Sequence, residues 1–343
     1  MKILLVSHEF GLNGAPRALL NMCIVLKELG HDLKVISPID GPINKEFKEN
    51  NIQSTIIPDI FSVNFNHPFD FEGYDLILIN TIVSTAFAKN IKDIKTKKIC
   101  WVHEGQFAYD IFSKYYGLYG RETNYDFVDL MKYVDECYCV SEYSKRVTVK
   151  YTDKIKGILP YYIDNINKET NQDYNKSNKL LLGLYGTVEV RKGIFLLKNA
   201  VDLLPKNISD KIEIHVIGAI NLPLFKDDHF KYYGPLEHDL LLKSFNKIDV
   251  LICPSLDDPL PITACEALMS ACPIAVSENT GFYNFINEDN GFRFKTNEQA
   301  IADCICQIYN NKIKLKDIGK NGRKLYLDSF TKTSFKENIK KIF

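Results

Sequence analysis

The sequence predicts an α/β protein made of two doubly wound halves, each a parallel sheet covered by helices. Three observations carry this. Short, wholly apolar runs recur along the chain between polar or turn residues, as strands buried on both faces do. Helical patterns stand between these runs, which makes βαβ units. The rhythm stops at 165–179, NINKETNQDYNKSNK, a polar stretch without periodicity, and then starts again. A length of 343 residues suits two domains at roughly 100–200 residues each. The expected division is a first domain at 1–164, a linker at 165–179, a second domain at 180–330 and a C-terminal helix at 331–343. That helix, with Phe335, Ile339, Ile342 and Phe343 at helical spacing, can pack back on the first domain.

In chain order, KILLVS (2–7), LKVISP (33–38), DLILIN (75–80), KKICWV (97–102) and ECYCVS (136–141) read as the strands of the first half. Between the first two, Ala15, Ala18, Leu19, Met22, Cys23, Leu26 and Leu29 repeat at helical spacing and Gly30 ends the helix. LLLGLYG (180–186), KIEIHVIG (211–218), DVLICPS (249–255) and CPIAVSE (272–278) are the strands of the second. Ligands of open parallel sheets bind beyond the carboxyl ends of the strands, so a cleft between two such halves is the expected site.

Composition removes several classes. Lys+Arg and Asp+Glu both number 43, so there is no overall basic field for nucleic acid. No stretch approaches the ~20 apolar residues of a membrane span. The opening MKILLVSHEF has its apolar run only at Ile3 to Val6, short of a signal peptide's hydrophobic region, and reads as a first strand. The protein is therefore expected in the cytoplasm. Nine cysteines include two C-x-C pairs (Cys137/Cys139 and Cys304/Cys306) and no C-x-x-C, which suits buried reduced thiols better than a zinc site.

Four stretches carry candidate chemistry. In SHEFGLNGAPRALL, Gly11 and Gly14 precede Pro16 at a helix start, a place for an anion, or a structural turn. It is not G-x-G-x-x-G, and the second strand ends Ile36-Ser37-Pro38 without an acid, which disfavours a dinucleotide dehydrogenase. In WVHEGQF, His103 and Glu104 follow a strand at its carboxyl end. In LYGTVEVRKG, Arg191 and Lys192 stand before Gly193 and a helix, where cations and free N–H groups suit a diphosphate. In DDPLPITACEALM, two prolines make a tight turn, Pro261 can take the first helical position, Asp258 is left in the loop, and Glu266 falls among apolar neighbours such as Ile262 and Cys265. An acid so placed needs a partner, and a hydroxyl-rich ligand such as a ribose would supply one.

These motifs, in this order, resemble those of the retaining family-4 glycosyltransferases. Asp258-x7-Glu266 looks like that family's E-x7-E motif, and YGTVEVRKG, IHVIGA, YYGPLEHDLL, DVLICPS and CPIAVSENTG follow the family's sequence of elements. The resemblance implies the GT-B fold, two Rossmann-like domains facing across a cleft. It implies transfer of a sugar, a hexose foremost, from a UDP- or GDP-linked donor with retention at the anomeric carbon, without metal or cofactor. Asp258 and His103 would then face the transferred sugar as catalytic residues. Glu266 would hold the donor ribose, with Lys192 and Arg191 on the diphosphate and Gly14, Thr187, Pro261 and Ile262 completing the donor side. Thr187 stands where the family often has arginine, and Pro261 where it has glycine. DDPxP variants are similar to a subset in surface-polysaccharide assembly.

On the acceptor side, residues 107–127 hold eight aromatics, with Tyr115, Tyr116 and neighbouring Glu104 as candidates to line a glycan or lipid-linked saccharide acceptor. The basic stretches AFAKNIKDIKTKK (86–98) and YSKRVTVKYTDKIK (143–156) suit an anionic surface at the inner face of a membrane. Two other readings stay open: a sugar-nucleotide epimerase of the same architecture, and a non-catalytic glycosyltransferase-like subunit.

Overall fold

The computed structural model describes residues 1–62, 65, 69–118, 127–164, 166 and 178–343. Two units emerge: Met1–Tyr162 with Phe335–Phe343, and Ile163–Ser334. Most of the polar stretch 165–179, and the aromatics Tyr119 and Tyr125, lie outside the described residues.

The first unit holds seven strands: β1 (Lys2–Val6), β2 (Asp32–Ser37), β3 (Gln53–Ile56), β4 (Leu76–Asn80), β5 (Lys97–Val102), β6 (Glu136–Cys139) and β7 (Ile155–Ile158). They form one sheet in the order β3-β2-β1-β4-β5-β6-β7, parallel throughout. The order reverses between β1 and β4, so their carboxyl ends open onto a switch point, the place where such sheets take ligands. β4, LILIN, is buried at every residue. Each such apolar side chain contributes about 1.5–3 kcal/mol by leaving water. The helix Gly14–Glu28 buries Ala18, Leu19, Met22, Cys23 and Leu26 and stops before Gly30, whose φ of 84° belongs to the left-handed region.

The second unit holds β8 (Leu180–Tyr185), β9 (Ile212–Ile217), β10 (Phe230–Gly234), β11 (Val250–Cys253), β12 (Ile274–Ser277) and β13 (Phe292–Phe294). The order is β10-β9-β8-β11-β12-β13, again parallel. Its switch point lies between β8 and β11. Helices cover the sheet, and Ile194, Leu197 and Val201 from one and Ile301, Ile305 and Ile308 from another pack into one core with β8, β9 and β11.

The sequence pattern finds nine of these strands and misses β3, β7, β10 and β13. All four are edge strands. An edge strand is not buried on both faces and flanks, so it need not be a continuous apolar run: β10 alternates between covered and solvated positions, and β7 has no fully buried residue.

The last residues return to the first unit. The ring of Phe335 lies 5.3 Å from that of Tyr162 and 6.1 Å from that of Trp101, and Ile339 is fully buried. All nine cysteines are free, and all but the half-buried Cys306 are buried. Two lysines of the basic stretches turn inward. Lys98 is buried and donates to the carbonyls of Ile94 and Thr96, and Lys154 donates to those of Met131, Lys132 and Val134. These two ammonium groups close loops, while Lys92, Lys95, Lys97, Arg146, Lys150 and Lys156 of the same stretches are exposed. Among the described residues, no helix is long and apolar enough to cross a membrane.

Candidate active site

The candidate residues fall into two groups, one in each unit. In the second unit they gather at the carboxyl ends of β8 and β11. The turn after β8 leads through Val190–Lys192 to Gly193, which has φ 77°. A side chain there would place its Cβ 2.0 Å from the carbonyl oxygen of Pro254, so this turn is pressed against the end of β11 and only glycine fits. The close approach sets Lys192 beside Asp258, and the two form an ion pair with side chains 19% and 9% exposed. Asp258 is fixed from its backbone: its N–H donates to Asn279 O and its carbonyl accepts from Gly281 N.

Arg191 does something else. Its guanidinium donates to Glu189 Oε1 and to the carbonyl of Asp257, and Leu256 N–H donates to the Arg191 carbonyl. Burial works against its charge, but Asp258 and Glu189 outweigh it and raise its pKa. Arg191 thus braces the loop that carries Asp258, while Lys192 points its charge at Asp258 itself. Thr187 is exposed at the turn after β8.

Pro261 is the N-cap, in extended conformation (φ −66°, ψ 121°), and the helix runs Ile262–Met269. The expected first helical position is therefore off by one: the ring takes the capping place and Ile262 leads the helix. The opening N–H groups of a helix have no acceptor within it. Glu266 follows in the second turn, 6% exposed. Its Oε1 accepts from His238 Nε2 at 2.9 Å, and its Oε2 is buried without a partner among the described residues. His238 opens the helix His238–Ser244 after β10. It was not legible from sequence, because a partner 28 residues from Glu266 leaves no spacing signal.

In the first unit, Gly14 is the first residue of its helix, with Asn13 as N-cap. His103 follows β5. Its ring lies 4.4 Å from that of Trp101, and its buried Nε2 has no partner among the described residues. Burial lowers its pKa to about 3, with His8 nearby adding to the effect, so the imidazole is neutral at physiological pH. Glu104 is buried and structural in its geometry: Oε2 accepts from the N–H groups of His103 and Ile82, and its carbonyl accepts from Ser144 Oγ. Tyr115 and Tyr116 are 8% and 2% exposed, and their hydroxyls donate to the carbonyls of His8 and Val83. This corrects their reading as an open aromatic rim. They are core rings of the helix Ala108–Leu118 that hold neighbouring loops in place. Among the described residues no group of three or more His, Cys, Asp or Glu side chains is placed to hold a metal ion.

Two parallel sheets, each with its polar residues gathered at the carboxyl ends around a switch point, define the class of protein: a GT-B glycosyltransferase architecture. The family of group 1 glycosyl transferases matches residues 166–325, and glycosyl-transferase family 4 matches residues 1–120. The chain belongs to the family-4 glycosyltransferases. No curated protein matches it significantly in sequence. Among solved structures it is similar to Anabaena HepE in complex with UDP-glucose, at TM-score 0.74 and 16% identity over 100% of this chain and 99% of that one. It is also similar to S. aureus TarM, crystallised with UDP, at TM-score 0.70 and 11% identity over 99% of each chain. WaaG, a glycosyltransferase of lipopolysaccharide biosynthesis, matches at TM-score 0.66 and 13% identity over 99% of each chain.

Proposed function

We propose that the chain transfers a hexose from a UDP- or GDP-linked donor, with retention, to a hydroxyl of a glycan or lipid-linked saccharide in surface-polysaccharide or glycoconjugate assembly. The observation that carries the donor side is Glu266, a buried carboxylate with one oxygen on His238 and the other without a partner among the described residues. A ribose diol offers the two donors such a carboxylate takes. That HepE was crystallised with UDP and with UDP-glucose supports the same ligand class here.

In this reading the bond from the anomeric carbon to the diphosphate breaks, and one to the acceptor oxygen forms on the same face. The acceptor's proton leaves on the diphosphate, so no side-chain nucleophile and no metal are required. Lys192 exchanges its contact with Asp258 for the departing diphosphate, where a fixed cation acts on charge as it develops. Asp258, released, accepts from hydroxyls of the transferred sugar. Thr187, Pro261 and Ile262 complete the donor surface of the second unit, and Arg191 holds the loop beneath it. Neutral His103 hydrogen-bonds the sugar through Nε2. The enzyme works in the cytoplasm, at the inner face of the membrane when its acceptor is lipid-linked.

The test is a panel of UDP- and GDP-sugars, read by slow donor hydrolysis in mass spectrometry and by ligand-induced thermal shift. At least one donor is expected to be hydrolysed and to raise the melting temperature, and Glu266→Ala to abolish both. A Glu266→Ala protein with undiminished turnover sinks the donor assignment.

A further inference from the structure

At the amino ends of β9 and β10, three side chains outside the candidate active site are joined in a line. Ser209 Oγ lies 3.0 Å from His229 Nε2, and His229 Nδ1 lies 2.7 Å from Asp227 Oδ1. Ser209 is the last residue of the short helix Lys206–Ser209, just before β9. Asp227 and His229 stand just before β10. Both strands run parallel to β8 and β11, so the cluster sits at the end of the sheet opposite Lys192, Asp258 and Glu266. The six residues of β9 span about 20 Å between the two ends.

The positions of the protons follow from Asp227. Burial works against its charge, but the backbone N–H and the ring of His229 outweigh it, with Lys198 adding to them, and lower its pKa. Asp227 is therefore a carboxylate at neutral pH and can only accept. His229 N–H donates to the same carboxylate oxygen, and Phe230 N–H donates to the Asp227 carbonyl, so the acid is fixed from its backbone. His229 Nδ1 must then carry its proton, and in the neutral ring Nε2 is left as an acceptor. The Ser209 hydroxyl donates to it. The Asp227 side chain is 13% exposed and that of His229 28%, while Ser209 is half-buried. The acid is thus the inner member, and solvent reaches the ring and the hydroxyl. A serine hydroxyl on the acceptor nitrogen of an imidazole that a carboxylate orients is the arrangement that activates a serine nucleophile.

We infer that Ser209 is a nucleophilic serine that accepts an acyl group from activated esters, aryl esters and thioesters, with His229 as general base and Asp227 orienting the ring. Ser209 Oγ attacks the carbonyl carbon of the ester, and its proton passes to His229 Nε2. The bond to the phenolate or thiolate breaks, and that leaving group takes the proton from Nε2. The products are an O-acyl serine and a free phenol or thiol, and the atoms balance without a further reactant. The N–H that follows the nucleophile, that of Asp210, donates to the Lys206 carbonyl and is not open to an oxyanion. The geometry therefore supports a site that is acylated once, a modification site, rather than rapid turnover. It goes beyond the glycosyl-transfer reading and does not depend on it.

The test incubates the whole protein with p-nitrophenyl acetate and follows acetylation of each serine by peptide mass spectrometry. Ser54 and Ser334 are the internal comparison: both are half-buried, and their hydroxyls donate to the Asn44 side chain and the Thr331 carbonyl instead of an imidazole. Ser209 should be acetylated faster than either by about tenfold or more, and His229→Gln should slow it by about 10²-fold, the usual worth of a general base. Asp227→Asn should slow it less, with melting temperatures recorded for both variants. Acetylation of Ser209 no faster than that of Ser54 and Ser334 in the wild type would mean that the three side chains only clip two loops together, and overturns the site. So does a folded His229→Gln protein that is acetylated at Ser209 as fast as the wild type.

Discussion

His238 Nε2 donates to Glu266 Oε1 at 2.9 Å, and the second carboxylate oxygen, buried, is left without a partner among the described residues. The carboxylate is thus oriented from one side and open on the other. Glu266→Gln keeps the shape but turns one acceptor into a donor. It should weaken nucleoside diphosphate binding by about tenfold or more in calorimetry. His238→Ala should weaken it less, and should raise KM for the donor more than it lowers kcat, since His238 acts through Glu266. Equal donor affinity in Glu266→Gln and wild type would remove the ribose role.

Lys192 and Asp258 are close enough, and buried enough, for their loss to be unequal. Lys192→Met should cost about 3 kcal/mol by stranding Asp258, and a Lys192→Met, Asp258→Leu double variant should recover most of that. Turnover should fall in both. Denaturant unfolding of the wild type, Lys192→Met, Asp258→Leu and the double variant gives the coupling. A double variant no more stable than the single one means the pair is not coupled in the folded protein.

His8 and His103 take up protons less readily folded than unfolded, because burial lowers their pKa values to about 4 and 3. The unfolded chain, with ordinary histidines near 6.5, binds those protons first. Stability therefore rises with pH through the window from about 3 to 6.5, and acidification from pH 7 removes it. A His8→Gln, His103→Gln protein should show a flatter melting temperature between pH 7 and about 4.5. An unchanged slope would mean that neither ring is neutral by burial.

Phe335, 2% exposed, joins the chain's last residues to Trp101 and Tyr162. Phe335→Ala should destabilise the first unit by about 3–5 kcal/mol. The loss should appear in Trp101 fluorescence, while unfolding of the second unit followed by a label placed there stays near wild type. Coincident loss in both units would show that they unfold as one.

What was legible in the sequence is what burial writes continuously. Inner strands such as β4 and β11 have no polar residue facing solvent, so LILIN and VLIC declare themselves. FKYYG and IKGI, at sheet edges, mix exposed and covered positions and do not. The same holds for the candidate site. Asp258, Glu266 and Lys192 stand in contiguous motifs with glycine and proline punctuation. Contacts made across the fold have no such marker. Arg191 looks like a second ligand for a diphosphate until its fork is seen on Glu189 and the Asp257 carbonyl. Tyr115 and Tyr116 look like a sugar platform until their hydroxyls are seen bracing His8 and Val83.

The first unit closes with residues made long after the rest of it. Its sheet is complete at Ile158, yet Phe335–Phe343 belong to its packing. On the ribosome, the early part of this unit must wait for the entire second unit to be translated before Trp101 and Tyr162 receive their last neighbour. Maturation of the first unit is therefore timed by translation of Phe335–Phe343 rather than by its own strands.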